Sequence, residues 1–240
     1  MKKITEANIL MRFRMNSWKG LFCCGFLAVL VMGCKGGCSN QNQQSMTQPK
    51  HSKQNPHDVA DPKDPTRVIW QKPEMVINIF GDLKDKVVAD IGAGTGFFAF
   101  RLVPKCKKVL ALDIDPRFIT FIDSARTKLP ANLRANLVPR LVEAHDPQLA
   151  DAEVDNVLIV NTYMYITNRI AYLNTLKKGM KKGGKILIVD YKEKMIPEGP
   201  KVELKLPLST VERELSQAGF QKIRTDDTSL DYQYIVTAIY

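Results

Sequence analysis

From about residue 66 onward, short apolar runs alternate with stretches in which apolar residues recur every three or four positions. The first pattern suits strands buried on both faces, and the second suits amphipathic helices. The runs predict strands at Lys86–Ile91, Val109–Leu112, Leu137–Val142, Val154–Val160, Lys185–Asp190, Gln221–Arg224 and Gln233–Ile239. The periodic stretches predict helices over Phe97–Val103, Pro116–Thr127, Arg169–Met180 and Ser209–Gly219, with Gly219 closing the last as a C-cap. Strands separated by helices require parallel crossovers, whereas the last two strands are joined by a short polar loop and should form an antiparallel hairpin. The expected fold class is therefore α/β: a mostly parallel seven-stranded sheet with helices on both faces and an antiparallel C-terminal strand.

The chemistry concentrates where the first strand ends. Val87-Val88-Ala89-Asp90-Ile91 runs directly into Gly92-Ala93-Gly94-Thr95-Gly96, and the next residues are helical in pattern. A chain turning this sharply needs positive φ, and glycine supplies it while letting backbone approach a ligand without a Cβ in the way. Open α/β sheets bind ligands at this carboxyl edge. Asp113 ends the following strand, and a carboxylate there can accept hydrogen bonds from both hydroxyls of a nucleotide ribose. The alternative role for Asp113, capping a helix, can equally be filled by Asp115 before Pro116.

Other nucleotide motifs fit less well. Dinucleotide-binding dehydrogenases space their glycines G-x-G-x-x-G, but position 97 is Phe97 and the third glycine is Gly96, which disfavours a nicotinamide-dependent oxidoreductase. Gly179 to Ile186 approaches a phosphate-binding P-loop but lacks its Ser/Thr and precedes a strand rather than following one. It reads as a turn.

The N-terminal third changes the picture of where the protein works. Residues 1–19 carry Lys2, Lys3, Arg12, Arg14 and Lys19 against Glu6, and Leu21 to Met32 carry no charge. A basic region before an apolar one is the order of a secretion signal, and the apolar stretch is short for a membrane span. Val31-Met32-Gly33-Cys34 resembles the lipobox of bacterial lipoproteins, which implies removal of residues 1–33 and lipidation of Cys34. Residues 34–65, rich in Gln, Asn, Ser, Lys and Pro, read as a disordered polar tether, leaving 66–240 as one domain. The expected location is the bacterial cell envelope, lipid-anchored and facing the periplasm or the surface.

The chain has 240 residues, 45% of them hydrophobic and 25% charged, in keeping with one globular domain plus extra sequence. Its five cysteines do not form a disulfide framework: Cys23 and Cys24 would leave with the signal, no metal-ligand spacing surrounds Cys34 and Cys38, and Cys106 is expected to be packed. No metal site is expected. The formal charge of +10 falls to +6 on processing, since five of 35 basic and one of 25 acidic residues are lost. Lys177, Lys178, Lys181, Lys182 and Lys185 suit a solvated helix end, and with no aromatic residue between them a nucleic-acid partner is not expected.

Taken together, Asp90-Ile-Gly92-Ala93-Gly94-Thr-Gly96, the terminal acid Asp113, Asp155-Asn-Val-Leu-Ile-Val-Asn161-Thr-Tyr163 and Lys182-Gly-Gly-Lys-Ile-Leu-Ile-Val-Asp190 resemble the motifs of class I SAM-dependent methyltransferases over about residues 67–240. Trp70-Gln71-Lys72-Pro73 is similar to a segment that precedes the glycine loop in a bacterial subgroup of that family. The resemblance implies a Rossmann-like fold with S-adenosyl-L-methionine (SAM) as cofactor. It implies cofactor contacts from Asp90, Gly92, Ala93, Gly94, Gly96, Asp113, Ile114, Asp146 and Asn161, with Tyr163 and Asn161 as candidate catalytic residues. Where the subgroup carries a His pair after the fourth strand, this chain has Met164 and Tyr165. The expected function is methyl transfer to an unidentified small-molecule, lipid or envelope acceptor. The competing expectation is a lipid-anchored protein that binds SAM but has lost transfer.

Overall fold

The computed structural model describes residues 65–197 and 199–240. The expectations for the signal segment, for Cys34 and for the tether up to residue 64 lie outside the described residues. Two helices, α1 (Pro65–Gln71) and α2 (Pro73–Asn78), precede the sheet. Lys72 between them takes a left-handed conformation, and Pro73 starts α2 at a position where its missing N–H costs nothing. Neither helix is among the sequence expectations, because each is too short to show a period.

The strands are β1 (Val87–Ile91), β2 (Lys108–Asp113), β3 (Leu137–Leu141), β4 (Val154–Val160), β5 (Met180–Tyr191), β6 (Gln221–Asp226) and β7 (Gln233–Ile239). They form one sheet in the order β3-β2-β1-β4-β5-β7-β6. Pairings from β3 through β5 are parallel, and β7 runs antiparallel to both β5 and β6. The expected seven-stranded, mostly parallel sheet is what forms.

Successive strand residues point to opposite faces, and the two faces build two cores. Ala89, Leu110, Val157, Ile159, Ile186 and Ile188 pack with Leu173 and Leu176 of α6 (Arg169–Gly179) and with Val211 and Leu215 of α7 (Leu208–Gln217). Val88, Val109, Ala111, Leu158, Leu187 and Val189 pack instead with α2, with α3 (Ala99–Leu102) and with Ile122 of α4 (Pro116–Arg126). A short α5 (Ala131–Arg134) leads into β3. Helices therefore cover both faces.

The helix expected over Phe97–Val103 is shorter, confined to α3, because the turns of the glycine loop continue through Phe98. Asp115 does cap α4, its side chain accepting from the Arg117 amide, which leaves Asp113 for another role. Gly219 closes α7 at φ 82°. Gly183 and Gly184, expected in a turn before a strand, lie instead inside β5, where pairing with β4 jumps from Val154↔Met180 to Asn156↔Lys185 and Gly183 absorbs the irregularity at φ 80°. Cys106 is buried, and burial pushes its thiol up to about 12.

Candidate active site

The chain order reverses between β1 and β4: β2 and β3 lie on one side of β1 and β4, β5, β7 and β6 on the other. Loops leaving β1 and β4 diverge there and open a crevice at the carboxyl edge. The loop after β1 is the glycine loop, in which Gly92, Gly94 and Gly96 have φ of 70°, 54° and 83°. The amides of Gly92 and Ala93 both donate to the Leu112 carbonyl, tying the loop to the end of β2. A Cβ on Gly92 would stand 2.3 Å from Thr162 Oγ1, so the loops after β1 and β4 touch at the crevice floor.

Asp113, buried at the end of β2, is held by two backbone donors. Gly94 N–H donates to Oδ2 at 2.8 Å and Asp115 N–H to Oδ1 at 2.9 Å. Each carboxylate oxygen keeps a lone pair for a further donor, the requirement for gripping two ribose hydroxyls. Ile114, next along, is 47% exposed, an apolar surface beside a polar clamp and suited to the flat face of an adenine. Asp146 closes the 143–146 turn after β3 and accepts from the Gln148 amide at 2.8 Å; His145 beside it is exposed.

Asp90 is the unusual group. It lies in β1, 3% exposed, and its Oδ2 has no hydrogen-bond partner among the described residues; the Thr95 hydroxyl at the loop is likewise buried and unpartnered. Burial, and then the neighbouring charge of Asp113, push its carboxyl up to about 7, against a bond from the Ala99 amide and the pull of Arg67. An orphaned, buried carboxylate oxygen is costly unless something supplies a donor or a cation. SAM carries an ammonium group and a sulfonium centre, so the residues present fit this cofactor.

Across the crevice runs a side-chain chain. Arg67 Nε donates to Gln71 Oε1 at 2.7 Å, Gln71 Nε2 to Gln233 Oε1 at 3.1 Å, Gln233 Nε2 to Asn161 Oδ1, and Asn161 Nδ2 to the Tyr191 hydroxyl at 3.2 Å. It ties α1, β7, the end of β4 and the end of β5 together at one edge. Asn161 itself has φ 56°, a strained value for a residue with a Cβ and one that marks the turn leaving β4. Phe97 lies between the Arg67 and Arg101 guanidiniums, at 4.0 and 3.9 Å from its ring centroid. Of this network the motif reading contained Asn161 as a functional residue; Gln71, Gln233 and Tyr191 escaped it. The Trp70-Gln71-Lys72-Pro73 segment was the available signal.

Tyr163 is a correction. The expectation put it at the transfer centre, but its ring is fully buried on the α6/α7 face and its hydroxyl donates to Glu214 at 2.9 Å. Glu214 is also paired with Arg169, Nε to Oε2 at 2.8 Å. Burial, then the Glu214 hydrogen bond, push the phenol far above its ordinary range. It lies in the 3-10 turn Tyr163–Tyr165 and packs in the core cluster with Leu173, Leu176, Val211 and Leu215. Tyr165 remains 43% exposed. Asp190 is buried as well, accepting from the Met164 and Tyr191 amides, with its carboxyl raised to about 7 by burial.

Comparison with known proteins agrees with this geometry. Residues 89–186 match the family model described as "Methyltransferase domain". A SAM-dependent methyltransferase from Aquifex aeolicus is 26% identical, superposes with a TM-score of 0.68, and is covered over 99% of its length by 75% of this chain. The tRNA U34 carboxymethyltransferase of Actinobacillus succinogenes is 26% identical over 173 residues, 67% of this chain and 52% of that enzyme. The enzyme of the same name from Mannheimia succiniciproducens is 24% identical over 179 residues, 67% of this chain and 54% of its own. The chain thus spans about half the length of these two tRNA enzymes.

Fold, loop and matches together resemble those of class I SAM-dependent methyltransferases, and the crevice fits SAM as the cofactor. The expectation against a nucleic-acid partner is overturned: the relatives just described are tRNA enzymes by name. Its premise fails too, because the tertiary fold sets aromatic rings among the lysines, with Lys182 Nζ 3.9 Å from the Tyr240 ring centroid and Lys177 Nζ 5.9 Å from that of Phe220.

Proposed function

We propose that this protein transfers a methyl group from SAM to a nucleic-acid acceptor of the tRNA kind. The observation that carries the acceptor is the similarity to tRNA enzymes over 67% of the chain. Bound SAM supplies an already activated methyl group, so the protein's task is alignment rather than activation. Asp113 and the Gly94 loop would hold the ribose, Asp90 the cationic end, and Ile114 the adenine. Asn161 and Tyr191, fixed in the side-chain network at the ends of β4 and β5, would position the acceptor. The test is transfer of labelled methyl from SAM to unfractionated tRNA. Label in tRNA that disappears in Asp113→Ala is the expected result, and SAM binding without label in any RNA would sink the reading.

The sequence Val31-Met32-Gly33-Cys34 supports a second reading, in which lipid on Cys34 holds the domain in the cell envelope and the acceptor is an envelope component. Export would part the domain from tRNA, so the two readings exclude each other. Mass spectrometry of the protein from its native host decides: an acylated Cys34 as the first residue supports the envelope reading, and an intact unacylated N-terminal segment removes it.

A further inference from the structure

We propose that the amino edge of the sheet, opposite the cofactor crevice, is a docking surface for the phosphate backbone of RNA; this rests on the tRNA-acceptor reading above. The edge is defined by strand register. Lys107 and Lys108 both direct backbone amides at the Lys86 carbonyl, at 3.0 and 3.3 Å, which sets the bases of β2 and β1 side by side. Beside β1, Asp155 at the base of β4 accepts from the Val87 amide at 2.8 Å and from Lys181 Nζ at 3.1 Å. Lys182 follows at the base of β5, over the Tyr240 ring, and the Gly183 amide donates to the Tyr240 carbonyl. Gln221 pairs with Ile239, bringing Lys222 of β6 to the same edge.

These six lysines span β2, β1, β4, β5, β7 and β6, five inter-strand spacings, or about 24 Å. Lys86, Lys107, Lys108, Lys182 and Lys222 are exposed. Asp155 takes up the charge of Lys181 and Glu153 that of Arg140, so five lysines of the row stay uncompensated by these acids, with Asp82 and Asp85 in the loop before β1 standing against them. A line of ammonium groups with an aromatic ring inside it suits a polyanionic strand, and it pulls such a ligand in through counterion release. A lipid surface fits less well. Interfacial binding needs apolar side chains to bury, and among the described residues the exposed large apolar side chains lie elsewhere, at Ile69, Phe121, Leu141, Tyr165 and Met195 for example.

The test uses the full-length chain with Lys86, Lys107 and Lys182 changed together to Glu. Binding of unfractionated tRNA is followed by fluorescence anisotropy across a salt series, and SAM affinity by calorimetry. At least about tenfold weaker tRNA binding is expected, with a salt slope reduced by about two to three and SAM affinity unchanged. If the charge reversal lowers the thermal midpoint, the same three positions changed to Gln must still weaken tRNA binding in the same direction. Wild-type tRNA affinity in both variants overturns the docking surface while the acceptor reading stands. A wild-type protein that binds no tRNA overturns both. Loss of binding to phosphatidylglycerol vesicles with tRNA binding intact overturns the proposal in favour of a membrane face.

Discussion

The two edges of this sheet are built from the same strands yet treat polar groups in opposite ways. At the amino edge they are satisfied: Asp155 takes the Val87 amide and Lys181, Asn156 Oδ1 takes the Lys185 amide, and Lys185 Nζ reaches the Ile79 and Phe80 carbonyls. At the carboxyl edge the Asp90 Oδ2 and Thr95 Oγ1 oxygens stay buried and without a partner among the described residues. One edge is finished by folding. The other is left to be completed by a ligand, and the instability that this costs is the physical signature of a site.

The contrast breaks most readily at glycine. Gly92→Ala should lose about 2 to 4 kcal/mol of stability in denaturant titration, since a Cβ meets Thr162 Oγ1 at 2.3 Å on a backbone with φ 70°. Gly183→Ala at the amino edge has φ 80° but nothing within 4 Å of its Cβ, and should lose about 1 to 2 kcal/mol. Equal losses would mean that the crevice floor yields, and that the loops after β1 and β4 are not locked together.

Asp113→Ala removes the acceptor for the Gly94 and Asp115 amides and for the cofactor, and should weaken SAM binding by about 1.5 to 3 kcal/mol in calorimetry. Asp155→Ala at the opposite edge should leave SAM affinity within twofold of wild type, and a comparable loss there would erase the distinction between the edges.

Asp90 sharpens it further through pH. A carboxyl raised from 3.8 to about 7 binds its proton more tightly folded than unfolded, so the ligand-free domain should lose stability as pH rises from about 4 to 7. Asp90→Asn should flatten part of that profile in thermal melts, the remainder belonging to Asp190, which is raised to about 7 by the same burial. Because a cation favours the ionised carboxylate, SAM affinity should increase between pH 5.5 and 7 in wild type and lose that trend in Asp90→Asn. An identical trend in both proteins would remove Asp90 from the cationic end of the site.

The smallest effect is expected at Tyr163. Tyr163→Phe should cost about 1 kcal/mol through the lost Glu214 hydrogen bond, with Glu214 still paired to Arg169, and transfer rates should stay within twofold. A hundredfold loss of rate would return Tyr163 to the chemistry.

The strands and the glycine loop were legible because both are local in origin, whereas the order of the strands in the sheet came only with the fold. A buried parallel strand must be a continuous apolar run, and a strand-to-helix turn at positive φ must contain glycine. Val87–Ile91 follows the first rule apart from Asp90, Val154–Val160 follows it from Val157 onward, and Gly92, Gly94 and Gly96 follow the second. Helices α1 and α2 were hidden by their length, and the burial of Tyr163 was hidden because its hydroxyl's partner, Glu214, lies on α7, far along the chain.

By itself, then, the sequence determined the strands, their parallel run, the glycine loop and the acid at position 113, all consequences of backbone sterics and burial acting over a few residues. Tertiary structure alone decided the rest. It joined Gln71, Gln233, Asn161 and Tyr191 into one network across four elements, and it carried Tyr240 to the lysines at the base of β5. It also stranded the Asp90 oxygen without a donor, because hydrogen-bond partners and dielectric surroundings are properties of neighbours in space that sequence spacing does not encode.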